Sequence, residues 1–212
     1  MITISAFRWV PDFARGLVRD LRVRWALEEA GLPYQVRLIG PEDQASPEYR
    51  ACQPFGQVPY FEGGDVRMFE SGAIVLHVGE RSETLLPRDP AGRARAMCWV
   101  LAALNSIETF VTPLAEIDLF YPEEDWARLR RPGAEAAVRG RLAELSACLK
   151  AREYLEDRFT AGDLMMTTVL RILRHTDLVE SDPVLAAYKA RCEARPAFQR
   201  ALQGQMSVFE AA

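Results

Sequence analysis

QVPYFEGGDVRMFES, residues Gln57 to Ser71, places two short apolar runs on either side of a turn. The turn is Gly63-Gly64-Asp65, a combination typical of β-hairpins, so we expect two antiparallel strands here. The residues that follow, GAIVLHVGER, are mostly apolar and predict a helix whose start Ser71 caps. A hairpin leading directly into a helix is therefore the unit around which the rest of the first half is predicted.

Upstream of this hairpin, the sequence predicts a strand, a helix and a second strand. MITISAF alternates apolar with hydroxylated residues, which is typical of a strand. Leu17, Leu21 and Trp25 recur on one face of the following helix. Three arginines lie off that apolar stripe: Arg19, Arg22 and Arg24. With YQVRLI as the second strand and a short helix around Glu48 to Cys52, the predicted order is β-α-β-α-β-β-α.

The second half of the chain predicts helices only. It follows the proline-broken connector SETLLPRDPAGR. One of its patterns, TAGDLMMTTVLRILRH, is suited to burial on several faces, and Thr160 and Asp163 open it as a capping box that we interpret as structural. We therefore predict an α/β domain over residues 1–82 and an all-helical domain over residues 91–212.

Composition argues against several classes of function. The formal net charge is −4 and is spread along the chain, which argues against a nucleic-acid surface. The 4 cysteines are far apart and the 2 histidines have no ligand at metal-binding spacing, so we predict reduced thiols and no metal site. No stretch approaches the roughly 20 apolar residues of a membrane span, and we predict a cytoplasmic protein.

Two elements flanking the hairpin are suited to bind a peptide with an amino-acid head group. Val58 precedes Pro59 and offers backbone N–H and C=O groups to an extended peptide. The start of the next helix offers free N–H groups to a carboxylate; Ser71 adds a hydroxyl donor there, and Glu70 can take an ammonium. The combination, in this order around a hairpin, is much more specific than either element alone.

QPFGQVPYFEGGDVRMFESGAIVLHVGER, and with it the whole chain, resembles the cytosolic glutathione transferase (GST) family, in a bacterial-type form. The resemblance implies a thioredoxin-like N-terminal domain and an all-α C-terminal domain. It implies a cis bond before Pro59, so that the Val58 backbone meets the cysteinyl part of glutathione. It implies that Glu70 and Ser71 hold the γ-glutamyl head, and that Gln57, where a lysine is frequent, lies near the glycyl end. A homodimer that uses glutathione as co-substrate, without a metal, is the corresponding expectation.

The loop between the first strand and the first helix departs from that family. The family activates the glutathione thiol with a Tyr, Ser or Cys here, but residues 6–33 contain no Ser, Thr, Cys, Tyr or His. Lowering the pKa of a thiol by ~2 units takes about 2.7 kcal/mol, and one hydrogen bond from a charged donor contributes about 1.5–3 kcal/mol. One well-aimed charged donor is therefore enough.

Three alternatives remain open for this loop. In the first, Arg19 or Arg15 stabilises the thiolate together with N–H groups of the helix N-terminus, because a guanidinium is always charged and rich in donors. In the second, Trp9 or backbone N–H groups of a loop longer than is common in the family do so. In the third, nothing activates the thiol. Ser5 remains possible as the thiol-activating group, but it is a poor candidate because its side chain projects from a strand onto a face of the sheet. We interpret Cys52 as a residue that contributes to packing.

The second substrate is expected against the first long helices of the helical domain. WVLAALNSIETFVTPLAEIDLFY has a mixed apolar and hydroxylated face suited to a hydrophobic electrophile. Its candidate contacts are Asn105, Ser106, Thr109 and Tyr121. The sequence thus predicts a detoxifying glutathione transferase that conjugates glutathione to a hydrophobic electrophile or uses it to reduce a peroxide. The alternative is a non-catalytic glutathione- or partner-binding scaffold of the same fold.

Overall fold

The computed structural model describes residues 1–210, which form two compact units. The first unit comprises Met1–Leu86 together with the segment from Arg195 onward, and the second comprises Pro87–Ala194. The predicted helical domain over residues 91–212 includes the segment from Arg195 onward. The packing of this segment instead groups it with the first unit, because it is hydrogen-bonded to the first helix.

The first unit is a four-stranded mixed sheet with helices, in the strand order β2-β1-β3-β4. β1 pairs with β2 in parallel and with β3 antiparallel, and β3 pairs with β4 antiparallel. The predicted order of elements is confirmed: the short helix expected around Glu48 to Cys52 is present as Pro47–Cys52, and one further short helix, Pro41–Ala45, precedes it. The elements are β1 (Ile2–Phe7), α1 (Asp20–Ala30), β2 (Tyr34–Ile39), α2 (Pro41–Ala45), α3 (Pro47–Cys52), β3 (Tyr60–Gly63), β4 (Val66–Phe69), α4 (Ser71–Gly79) and, at the end of the chain, α10 (Pro196–Glu210).

Helix α1 is the centre of the first unit. It begins at Asp20, so Leu17, which was predicted as part of its apolar stripe, lies in the preceding loop. Helix α1 packs against both α4 and α10. Arg22 and Arg24, which lie off the apolar stripe, are nevertheless buried, with 3% and 2% of their surface exposed. A helix that is covered on two sides has little solvent-facing surface, so an arginine off the apolar stripe is not thereby exposed.

A buried polar cluster joins α1 to α10. Asp20 accepts from Arg24 Nε at 2.7 Å and from Gln205 Nε2 at 2.6 Å, while Arg24 Nη1 donates to the Gly204 carbonyl at 3.0 Å. Burial raises the pKa of Asp20, and the neighbouring Arg24 opposes that shift. Gln205 Nε2 also donates to the Val18 carbonyl at 3.1 Å. These bonds explain why α10 belongs to the first unit, and they fix the end of the loop before α1.

The second unit contains helices and no strand within the described residues Pro87–Ala194. Its elements are α5 (Pro90–Ala102), a π-helical turn (Ala103–Glu108), α6 (Thr109–Phe120), α7 (Asp125–Leu149), α8 (Ala161–Leu170), a 3-10 turn (Arg171–Leu173) and α9 (Pro183–Glu193). Helix α7 runs unbroken through Pro132. The all-helical prediction for this half is confirmed.

The helix that runs continuously from Pro90 to Phe120 is long and apolar enough, by length and composition alone, to cross a membrane. Its most apolar window has a mean hydropathy of 1.3, and 33% of that window is buried inside the chain. One such helix is weak evidence for a membrane span, because core helices of soluble proteins meet the same test. Here α5 packs against α8, and α6 packs against α7.

The start of α8 is held by the predicted capping box, which is confirmed. Thr160 Oγ1 accepts from the Gly162 N–H, and the Asp163 carboxylate accepts from the Thr160 N–H at 2.8 Å. Asp163 also accepts from the Leu155 N–H at 2.8 Å and from the Tyr188 hydroxyl at 3.0 Å. It is therefore a buried hub that joins the segment before α8 to α9, as well as a helix cap.

Candidate functional site

The Val58–Pro59 peptide bond is cis, as the sequence resemblance implies. Val58 lies just before β3 and outside its ladder. Neither its N–H nor its C=O is hydrogen-bonded within residues 1–210. Its side chain is buried in a cluster with Ile39, Tyr49 and Tyr60. The side chain thus anchors the residue, while its backbone groups remain available to an extended ligand.

A chain of hydrogen bonds holds both sides of this cis bond. The Tyr49 hydroxyl donates to the Gln57 carbonyl at 2.6 Å, and it lies 2.8 Å from Ser5 Oγ. Because the single proton of Tyr49 goes to Gln57, Ser5 must donate to Tyr49. Ser5 Oγ in turn accepts from the Tyr60 N–H at 2.7 Å. The residue before Val58 and the residue after Pro59 are therefore tied to β1 and α3.

This arrangement gives Ser5 a structural role. The side chain is 1% exposed and its proton is committed to Tyr49. Burial raises the pKa of the Tyr49 hydroxyl, so this bridge stays protonated at neutral pH. The structure thus agrees with the prediction that Ser5 is a poor candidate for thiol activation.

The start of α4 combines a strained residue with a helix N-terminus. Glu70 is exposed and adopts φ 70° and ψ 110°, a backbone conformation that is uncommon for a residue other than glycine. It occupies the N-cap position without a side-chain cap bond, so the prediction that Ser71 caps the helix is wrong. Ser71 is instead the first helical residue, because the Ile74 N–H already bonds to the Glu70 carbonyl at 2.9 Å. The N–H groups before Ile74 therefore point out of the helix end, where they attract an anion.

Arg22 reaches this helix start from α1. Its Nη1 donates to Ser71 Oγ at 3.2 Å, and both residues are buried, at 3% and 5% exposure. The sequence does not reveal this contact, because Arg22 lies off the predicted apolar stripe and Ser71 is 49 residues away. A usable signal was present in LRVRWAL, which is apolar on every face apart from its arginines and therefore indicates a helix buried all round.

The loop from Arg8 to Arg19 contains the three candidates for thiol activation. Trp9 is 65% exposed. Arg15 forms an ion pair with Asp12 at 3.0 Å, and its guanidinium lies over the ring of Phe209 at 5.9 Å from the ring centre. Arg15 is therefore already engaged by two neighbours of its own unit.

Arg19 is exposed and stands at the N-terminus of α1. Its neighbour Val18 packs against the cluster that contains Val58. Since Val18 is also held by Gln205, the end of the loop is fixed beside the cis bond. Of the three candidates, Arg19 is thus the one directly next to a residue that packs against the cluster containing Val58.

The remaining residues predicted in the first unit have ordinary surroundings. The Gln57 side chain is exposed, whereas its carbonyl is occupied by Tyr49. Cys52 is half-buried and packs against the Val58 cluster, which agrees with its interpretation as packing. Burial, and next the neighbouring Cys52, raise the pKa of the Tyr60 hydroxyl to about 12. No group of three or more His, Cys, Asp and Glu in positions to hold a metal ion occurs in residues 1–210.

The residues predicted for the second substrate lie on the long helix of the second unit. Asn105 and Ser106 are exposed and fall within the π-helical turn, a distortion that is frequent at functional sites. Thr109 follows directly, and its hydroxyl donates to the Asn105 carbonyl at 2.9 Å. Tyr121 directly follows the last residue of α6, with its ring 5.2 Å from that of Trp126. The first three therefore form one exposed polar group, and Tyr121 belongs to a separate aromatic group.

Comparisons with known proteins give one consistent answer. Residues 14–80 match the sequence model of "Glutathione S-transferase, N-terminal domain". A glutathione S-transferase of Hyoscyamus muticus is 27% identical over 195 residues, covering 86% of this chain and 92% of the relative. Glutathione S-transferase 4 of Zea mays is 29% identical over 197 residues and covers 86% of each chain.

Solved structures agree with these sequence matches. A glutathione transferase of Burkholderia graminis, solved with two glutathione molecules bound per subunit, superposes with a TM-score of 0.82 at 26% identity and covers 95% of this chain and 87% of that one. A theta class enzyme of Xanthomonas axonopodis pv. citri, solved with glutathione bound, gives 0.80 at 27% identity, covering 97% and 98%. The curated relatives named above come from plants and these two structures from bacteria, so the bacterial-type assignment stays a prediction.

Proposed function

The chain belongs to the glutathione transferase family, and on that premise we propose that it is an enzyme that binds glutathione and transfers it to a hydrophobic electrophile or uses it to reduce a peroxide. The observation that carries this proposal is the pairing of a cis Val58–Pro59 bond, with a free Val58 backbone, and a strained Glu70 that opens α4. Strain of this kind is kept only where the surrounding structure enforces it, and it clusters at binding sites.

Each part of glutathione has a matching group in this arrangement. The N–H and C=O of Val58 pair with the cysteinyl part of the tripeptide, as an added strand pairs with a sheet edge. The exposed carboxylate of Glu70 takes the ammonium of the γ-glutamyl head, and Ser71 with the N-terminus of α4 takes its α-carboxylate. The exposed amide of Gln57 lies nearest the glycyl end and offers that carboxylate a neutral donor.

We assign stabilisation of the thiolate to Arg19. It is exposed, always charged, and adjacent to Val18, which contacts the Val58 cluster. Arg15, which is paired with Asp12 and lies over Phe209, is a second candidate for the same chemistry. The N-terminal N–H groups of α1, which begins one residue after Arg19, add to the positive potential.

The electrophile is assigned to the exposed face of the long helix in the second unit, around Asn105, Ser106 and Thr109, with Tyr121 as an aromatic contact. The π-helical turn supports this assignment because it changes the direction of side chains at these positions. The protein acts in detoxification as a cytoplasmic homodimer. Support for the dimer comes from Met97 and Leu101, apolar side chains one turn apart on α5 that are 36% and 51% exposed.

The ultraviolet absorbance of the glutathione thiolate, recorded against pH with the protein in excess, tests this assignment. The parent protein is expected to lower the pKa of bound glutathione below the roughly 8.5 of a free cysteine thiol. Arg19→Ala should move it back towards that value, whereas Arg15→Ala and Trp9→Phe should move it less. Turnover with an aryl halide and with an organic hydroperoxide then separates conjugation from reduction.

The competing function, a non-catalytic scaffold, gives a different pattern in the same assays. Glutathione binds to it saturably, but the pKa of the bound thiol equals that of free glutathione and neither substrate is turned over. An Arg19→Ala variant with an unchanged thiolate titration overturns the assignment of Arg19, even if the parent protein is active.

A further inference from the structure

The side chain of Gln205 on α10 holds the chain on both sides of Arg19. Its Nε2 donates to the Val18 carbonyl at 3.1 Å and to Asp20 Oδ1 at 2.6 Å, and only 1% of the residue's surface is exposed. A carbonyl and a carboxylate are both acceptors, so the amide nitrogen must face them, and the two bonds use both of its protons. One buried amide near the end of the chain therefore ties the residue before Arg19 and the residue after it.

A closed ring of buried groups sets the position of this amide. Asp20 Oδ2 accepts from Arg24 Nε at 2.7 Å, and Arg24 Nη1 donates to the Gly204 carbonyl at 3.0 Å. Gly204 precedes Gln205, whose amide returns to Asp20. The three side chains of the ring are at most 2% exposed, and hydrogen bonds are electrostatically stronger in such surroundings than in water. The amide therefore has little freedom to leave Val18.

The start of α1 depends on this contact because Arg19 does not cap the helix. Arg19 occupies the N-cap position, where the usual cap is a side-chain oxygen, but a guanidinium has no acceptor, and no side-chain cap bond forms there within residues 1–210. The Val18 carbonyl accepts from the Leu21 N–H at 2.9 Å as well as from Gln205. Gln205 thus holds the carbonyl that accepts the first turn of α1, and with it the backbone of Arg19.

The placement of this backbone matters for chemistry at a sulfur. A hydrogen bond weakens steeply when its distance or angle departs from the preferred range. A catalytic group that is misplaced by about 1 Å can cost on the order of a hundredfold in rate. Arg19 carries its guanidinium at the end of a long side chain, so a shift of its backbone displaces the donors as well.

We propose that Gln205 is a positioning residue for activation of the glutathione thiol: by holding Val18 and Asp20, it fixes the backbone from which Arg19 reaches the sulfur. This inference rests on the proposed function and on its assignment of thiolate stabilisation to Arg19. Gln205 acts through the backbone of the loop and does not touch the ligand. Its loss changes the ionisation of the bound thiol and leaves the affinity for the rest of the peptide unchanged.

The ultraviolet absorbance of the bound glutathione thiolate, recorded against pH with the intact protein in excess, tests the proposal. Gln205→Met keeps the length of the side chain but removes both donors. It should raise the pKa of the bound thiol by about half a unit to one unit, because a displaced Arg19 loses part of one charge-assisted hydrogen bond. In the Arg19→Ala background, Gln205→Met should add no further rise, because both changes remove the same interaction.

A second measurement separates ionisation from binding. S-methylglutathione has no thiol to ionise, so its affinity reports only on the rest of the peptide. Its Kd for Gln205→Met, measured by calorimetric titration, should stay within about twofold of that of the parent. A much weaker Kd would show that Gln205 supports the peptide site as a whole, which contradicts the proposal.

Two variants of α10 provide matched controls. Gln203→Met makes the same substitution at an exposed glutamine two residues earlier and should leave the thiol pKa unchanged. Arg195→Gln breaks the ion pair in which Arg195 donates to Glu29 at 2.6 and 2.8 Å, close to the other end of α1. It should lower Tm by loosening α10, yet leave the thiol pKa unchanged. A rise in pKa that is confined to Gln205→Met is then not an effect of weaker docking of α10.

The outcomes separate this inference from the proposed function. If the parent shows no saturable glutathione binding, the proposed function fails; if Arg19→Ala leaves the thiol pKa unmoved, the assignment of Arg19 fails; in both cases this inference fails too. If Arg19→Ala raises the pKa but Gln205→Met behaves like Gln203→Met, or Arg195→Gln raises it equally, only the positioning role is overturned. A full further rise in the Arg19→Ala background overturns it as well. Should Gln205→Met not fold, Gln205→Asn, which shortens the reach of the amide, gives the same comparison, and a thiol pKa equal to that of the parent contradicts the proposal.

Discussion

Replacing Asp163 by alanine should destabilise the protein far more than the loss of a helix cap. The carboxylate is fully buried and accepts bonds from the Leu155 N–H, the Thr160 N–H and the Tyr188 hydroxyl. Each of these donors is itself buried, so alanine leaves all of them without a partner. A buried unsatisfied donor costs about 1–3 kcal/mol, which puts the expected loss at about 3 kcal/mol or more. A lost cap alone costs only about 0.5–2 kcal/mol.

Part of this loss is offset within the same site. Burial raises the pKa of Asp163, which means that its charge is costly to keep inside, and alanine removes that cost. Asp163→Asn separates the two effects, because asparagine keeps the shape but turns an N–H donor towards groups that are themselves donors. We therefore expect Asp163→Asn to be destabilised as well, although it leaves no cavity.

Thermal unfolding followed by circular dichroism measures the effect. For a chain of this size, 1 kcal/mol corresponds to roughly 2–4 °C in Tm, so Asp163→Ala should melt about 6–12 °C below the parent. Asp157→Ala, which removes an exposed carboxylate six positions earlier, should stay within about 0.5 kcal/mol. If Asp163→Ala melts within a degree or two of the parent, the account of Asp163 as a buried hub is wrong.

Three further variants test the first unit. Arg24→Met leaves Asp20 buried without its ion pair and should cost about 3–5 kcal/mol in urea unfolding, and a loss below about 1 kcal/mol would contradict this. Tyr49→Phe releases the Gln57 carbonyl and should weaken glutathione binding several-fold while costing about 1–2 kcal/mol in stability, so a variant equal to the parent in both respects refutes the anchoring role. Glu70→Gly relieves the strain of the positive φ and should stabilise the fold by about 1 kcal/mol, yet weaken glutathione binding. The idea fails if stability and glutathione affinity both rise or both fall.

The elements themselves were largely predictable from the sequence. The hairpin follows from a glycine-rich turn between two apolar runs, and the structure gives Gly64 the positive φ that such turns need. The helical second half follows from apolar periodicity, and the capping box of α8 from its spacing alone. Each of these signals depends only on residues that are neighbours in sequence, so the sequence was sufficient to predict these elements.

The features that the sequence did not reveal depend on partners distant along the chain. Arg22 and Arg24 look solvent-facing because periodicity counts an arginine as polar, but each has a partner far along the chain: Ser71 lies 49 residues from Arg22 and Gly204 lies 180 residues from Arg24. The same reasoning applies to α10, whose place in the first unit depends on Gln205 reaching Asp20. The π-helical turn has no sequence signature comparable to a proline or glycine, so Asn105 could be proposed for the site but not its geometry.

The central proposal is that this chain recognises glutathione through its γ-glutamyl head at the start of α4. Calorimetric titration of the parent protein with glutathione, and separately with cysteinylglycine, which lacks that head, tests this most directly. We expect saturable binding of glutathione at a single site per chain and no measurable binding of cysteinylglycine at the same concentrations. Equal affinity for the two peptides, or no saturable heat with glutathione, would contradict it.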